Sequence, residues 1–74
     1  MTVEEVMQYR RAVPFKPFIV AMKDGRRFEI LQPYNVSRNS AFTRIGVADH
    51  ESGESFDISL VSHVELMEDA ARTT

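Results

Sequence analysis

The chain has no cysteine and no tryptophan, and only three glycines, three prolines and two histidines among its 74 residues. Without cysteine there is neither a disulfide framework nor a thiolate metal site. Two histidines fall short of the ligand set of most zinc sites. The glycines stand apart at positions 25, 46 and 53, so there is no glycine-rich loop to cradle a phosphate. No apolar run approaches the roughly 18 residues of a membrane span. The N-terminus is acidic and amphipathic and lacks the apolar core of a signal peptide. These absences predict no cofactor, no metal and no membrane insertion, with the cytoplasm as the expected compartment.

Length narrows the reading further. A chain this short buries only about 60% of the surface its unfolded form exposes. Domains of that size lean on disulfides, metals or oligomerisation. With the first two missing, self-association through edge strands is expected. The apolar share of 43% and charged share of 27% are ordinary for one globular domain. The net charge of −2 conceals an uneven distribution. Residues 1–44 carry eight Lys/Arg against four Asp/Glu, and residues 45–74 carry Arg72 alone against seven acids. A bipolar chain of this kind can pair with copies of itself or present a local basic patch.

The most ordered local pattern is Pro14 to Leu31, which reads as a β-hairpin about Asp24-Gly25. A two-residue loop would mix charge and bulk on each face. A three-residue loop, Lys23-Asp24-Gly25, pairs Met22 with Arg26, Val20 with Phe28 and Phe18 with Ile30. One face then collects Phe18, Val20, Met22, Phe28 and Ile30, and burial of one face fixes that register. The turn requires positive φ at its last residue, which Gly25 supplies without steric cost.

Thr2 and Glu5 form a capping box that starts a helix over residues 3–11, and Pro14 stops it at or before Val13. Strands are expected at 18–23, 26–32, 41–48, 54–58 and 62–67. Ser37-Arg38-Asn39-Ser40 reads as a polar turn, Ser59-Leu60-Val61 as a tight corner, and 68–74 as a frayed tail. Gly46 inside a strand points to a bend, bulge or close approach. The fold class is mainly β. An N-terminal helix precedes a strongly bent five-stranded antiparallel sheet, spanning about 15–67, that closes into a small barrel.

That order of elements resembles the Sm-like family of small β-barrels, over residues 3–67 in topology. Val20-Ala21-Met22-Lys23-Asp24-Gly25-Arg26 is similar to the family's first signature, and Val61-Ser62-His63-Val64 resembles the approach to its last strand. Two places depart from the pattern. Bulky Ile30 stands near the family's small residue in the bent second strand. Asp57-Ile58-Ser59 stands where bacterial RNA chaperones of the family carry an aromatic-basic-His triplet lining the RNA pore. The resemblance therefore implies the fold and ring-like assembly more than RNA binding. Pro14-Phe15, Pro17-Phe18 and Asp24-Gly25-Arg26 also resemble a group of short bacterial proteins sharing P-F-x-P-F and an Asp-Gly-Arg hairpin, and no activity comes with that likeness.

Little in the sequence converges for catalysis. Ser62 and His63 are neighbours on a strand, so they are expected to point to opposite faces. Asp49-His50-Glu51 offers too few ligands for a metal. The strongest binding candidate is basic. Lys23, Arg26 and Arg27 surround the hairpin tip, Arg38 and Arg44 lie nearby, and Tyr34 and Phe42 supply exposed aromatics for nucleic acid. The same charges also suit an edge strand guarded against pairing. Ile19, Ala21 and Phe42 form an apolar strip on outer faces, which marks either a protein contact or a seat for the helix. Two binding roles follow: a non-catalytic protein–protein assembly or adaptor module with an unidentified protein partner, or an RNA-binding module working through the hairpin tip.

Overall fold

A computed structural model describes residues 1–49 and 51–68. His50 and most of the expected tail lie outside the described residues. The helix α1 covers Val3–Arg11. Thr2 Oγ1 accepts from the Glu5 backbone N–H, and the Glu5 carboxylate accepts from the Thr2 N–H. Glu4 and Glu5 in the first turn and Arg10 and Arg11 in the last complement the helix dipole. Its apolar stripe, Val3, Val6 and Met7, is buried.

Six strands follow: β1 (Phe18–Met22), β2 (Arg27–Ile30), β3 (Val36–Arg38), β4 (Arg44–Ala48), β5 (Gly53–Asp57) and β6 (Val61–Leu66). They form two three-stranded antiparallel sheets, ordered β2-β1-β6 and β3-β4-β5. The hairpin register is the one its apolar face dictates. Phe18 pairs with Ile30 and Val20 with Phe28. The Met22 N–H donates to the Arg26 carbonyl at 2.8 Å, and Gly25 has φ +95°.

Two corrections concern the sheet. Among the described residues there are six strands, not five, because Val36–Arg38, expected as connector and polar turn, form a strand of their own. Pro33–Asn35 form a 3-10 turn, and Val36–Arg38 belong to the second sheet. Proline removes a ladder donor and sets the break. The strands are also not closed into a barrel. The chain crosses between sheets at this turn and again at the 3-10 turn Ile58–Leu60, and among the described residues no ladder joins the two sheets. The expected strand over 41–48 begins only at Arg44. Phe42 has φ +59°, a left-handed conformation incompatible with a strand.

The core lies between the sheets. Phe18, Val20, Met22 and Ile30 of the first face Val36, Ile45, Val47 and Phe56 of the second, and α1 adds its stripe. Phe28 stacks on Phe56 with ring centroids 5.5 Å apart, which fastens sheet to sheet. Tyr9 packs against Phe18 at 5.6 Å, and Arg10 Nε donates to the carbonyls of Pro33 and Val36 at 2.8 and 3.0 Å. Helix, turn and β3 are thereby held as one corner. Gly46 marks a close approach, since a Cβ there would stand 2.8 Å from Ser37 Oγ.

Candidate functional site

The outer face of the first sheet is built in rows by its register. Arg27, Ala21 and His63 lie side by side, as do Glu29, Ile19 and Glu65. Arg27 reaches diagonally across β1 and bonds Glu65 at 2.5 Å. His63 Nε2 lies 2.7 Å from the other side of the same carboxylate. Arg27, assisted by His63, holds the Glu65 carboxyl well below its usual 4.5, at about 2. Ile19 and Ala21 are buried although they face away from the core. A charged arch covers that apolar strip, while α1 packs on the opposite, core side of the sheet. Long charged side chains cover apolar surface well through their aliphatic stems.

Ser62 and His63 overturn the expectation that they point apart. β6 slips register against β1 between Ala21 and Met22, so His63 pairs with Ala21 and Val61 with Met22, and Ser62 has no partner opposite. Ser62 is the extra residue of a bulge, and a bulge re-aims a side chain. Its Oγ lies 3.0 Å from His63 Nδ1. The result is a hydrogen-bond chain, Ser62–His63–Glu65–Arg27. It sits on an open face, and Ser62, His63 and Glu65 line neither the cleft beside β2 nor the shallower one over β4 and β5. Among the described residues no group of three His, Asp or Glu is placed to hold a metal.

The basic hairpin tip is brought together but already engaged. Arg26 bonds Asp24 at 2.9 Å and Glu54 of β5 at 2.7 Å, and its guanidinium lies 5.6 Å from the Phe28 ring centroid. Asp24 is held below the usual carboxylate range, first by the Arg26 backbone N–H. Both Arg26 and Arg27 titrate above the ordinary arginine value because their carboxylate partners favour the cation. Lys23 is exposed at the same tip. Tyr34 is 74% exposed on the 3-10 turn between β2 and β3.

Arg38 and Arg44 are not at the tip. They flank the β3–β4 turn on the second sheet. Arg38 stacks over Phe42 at 3.9 Å, and Arg44 donates to Ser55 Oγ and the Ser55 carbonyl, both at 3.1 Å. Asn39 holds that turn. Its Oδ1 accepts from the N–H groups of Thr43 and Arg44, and its Nδ2 donates to Thr43 Oγ1. Sequence reasoning placed Asn39 in a polar turn without its partners, and it missed Glu54 and the pairing of Glu65 with Arg27. Asn in a polar turn was a usable signal; the acids depend on strand pairings remote in sequence.

A cleft of about 480 Å³ opens between the first sheet's β2 and the β4–β5 end of the second. Arg27, Phe28, Glu29, Ile30 and Leu31 all line it in succession. Successive strand residues alternate faces, so a space touching all five runs along the edge of β2.

No family model, no curated protein and no solved structure matches this chain. No helix among the described residues is long and apolar enough to cross a membrane.

Proposed function

We propose that this protein is a non-catalytic assembly module, expected in the cytoplasm, that joins copies of itself or a protein partner through its sheet edges. The observation that carries this reading is the open cleft along β2, where the edge of a three-stranded sheet has no strand beside it among the described residues. An unpaired edge is a template for another strand. Small size supports the same reading, since a 74-residue chain without disulfides gains most from a partner. The strand order β6-β1-β2 followed by β3-β4-β5 is what an Sm-like or SH3-like barrel opened between its halves would have. Light scattering across a dilution series tests the reading. A mass above the single chain's 8.5 kDa is expected. A single-chain mass at every concentration, with no partner retained from lysate, rejects it.

The second reading is an RNA- or nucleic-acid-binding Sm-like module, and one observation favours it. Arg38, Phe42 and Arg44 give an exposed aromatic flanked by two cations that bond no carboxylate among the described residues. Bases stack on such rings, and phosphates pair with such cations. The hairpin tip is the weaker half of the site, because Arg26 and Arg27 already pair with three carboxylates. Filter binding of single-stranded RNA at low salt decides. Retention that falls steeply with salt, and is lost in Arg38→Ala/Arg44→Ala, supports it; no retention removes it.

A further inference from the structure

The hydrogen-bond parity of the first sheet states which backbone groups of β2 are available. Met22 N–H bonds the Arg26 carbonyl, so Met22 and Arg26 form a hydrogen-bonded pair. Such pairs alternate along an antiparallel ladder. Val20–Phe28 and Phe18–Ile30 are then hydrogen-bonded pairs as well. The other side of β1 agrees, since Lys23 N–H bonds Leu60 and the Pro17 carbonyl accepts from Met67. The N–H and C=O groups of Arg27 and Glu29 therefore point away from β1 into the cleft. None of these four groups has a backbone partner among the described residues.

The side chains of the same two residues select what can pair there. Arg27 and Glu29 stand on the outer face with Phe28 between them on the inner face. Consider two β2 strands antiparallel about a two-fold axis. With Phe28 opposite its own copy, Arg27 lies opposite Glu29 of the other chain, and Glu29 opposite Arg27. Both are outward-pointing residues, so each couple makes a full hydrogen-bonded pair. A two-residue slip either way places Glu29 against Glu29 or Arg27 against Arg27, and like charges directly opposite are destabilising. In the favoured register Leu31, 52% exposed, falls opposite Gly25, around which a Cβ would meet nothing within 4 Å.

We infer that two copies of this chain pair through their β2 edges, antiparallel and with Phe28 at the two-fold axis, to make one six-stranded sheet ordered β6-β1-β2-β2-β1-β6. The occupant of the cleft is a second copy because the edge is complementary to itself in charge, hydrogen-bond parity and side-chain bulk. This inference rests on the assembly reading and specifies its edge, register and symmetry.

Sedimentation equilibrium on the whole chain tests it. Glu29 is exposed, and Glu29→Arg leaves the monomer's ion pairs intact. It turns two attractive couples into two repulsive ones and weakens the dimer about tenfold. Arg27→Glu does the same. An equimolar mixture of the two variants restores wild-type affinity, because each chain then presents only the sign its partner lacks. Arg27→Glu also gives up the bond to Glu65; should it not fold, Glu29→Arg alone decides. An oligomer that is insensitive to Glu29→Arg, or a mixture no tighter than its components, overturns the inference and leaves the assembly reading standing. A monomeric wild type overturns the inference, and if it also retains no partner from lysate it overturns the assembly reading as well.

Discussion

Gly25 has open space around it and a left-handed backbone. Alanine there meets no neighbour and suffers only the backbone penalty, about 1–2 kcal/mol. Gly25→Ala is expected to lower stability by that amount in urea unfolding, with an unchanged m-value. Phe42 presents the opposite case: a bulky residue at φ +59°. Phe42→Gly releases about 1–2 kcal/mol of strain but loses a cation–π contact of about 0.5–1 kcal/mol and gains unfolded-state freedom. A melting temperature close to wild type is expected. A large loss would mean that Phe42 is held for the fold rather than for contact with something outside it. Glu65 gives the pH prediction. Its carboxyl titrates at about 2 in the folded chain against 4.5 ordinarily, so its contribution is complete above 4.5 and is lost as pH falls towards 2. The stability gap between wild type and Glu65→Gln should therefore close on acidification through that window. A gap that is constant with pH would contradict the arch over β1.

At the scale of elements, the sequence revealed what is local. The capping box of Thr2 and Glu5, and the Met22–Arg26 pairing about Lys23-Asp24-Gly25, need only neighbours, and both stand as read. β3 was illegible because only Val36 of its three residues is buried, and Ser37 and Arg38 read as turn. The bulge at Ser62 was illegible for a different reason: it exists only in the register of β6 against β1, some forty residues away. The same holds for the site. Lys23, Arg26 and Arg27 could be gathered from the hairpin alone, but Glu54 and Glu65, which engage two of them, come from strands the hairpin does not specify. Core packing between elements gives a further test. Ile45 is fully buried on the inner face of β4. Ile45→Ala should cost about 2–5 kcal/mol by chemical denaturation, a large share of what so small a domain has. A cost below 1 kcal/mol would mean that the two sheets do not pack as described.

The whole molecule is two small sheets held face to face by an apolar core, one aromatic stack and the bridge from Arg26 to Glu54. That arrangement leaves strand edges without partners, and β2 is the edge whose side chains match a copy of itself. The uneven charge along the chain is partly consumed inside it, since Lys16, Arg26 and Arg27 from the basic half meet Glu68, Glu54 and Glu65 from the acidic half. The polarity that suggested pairing with copies of itself thus works in part within one chain, and Glu29, which forms no ion pair among the described residues, remains for contact between chains. Amide hydrogen exchange, followed residue by residue at high dilution and at high concentration, tests the claim most directly. In dilute protein Phe28 and Ile30 should exchange slowly and Arg27 and Glu29 fast; on concentration all four should become slow. Protection of Arg27 and Glu29 at every concentration would mean that the edge is covered within the chain, and fast exchange at every concentration would mean that nothing pairs with it.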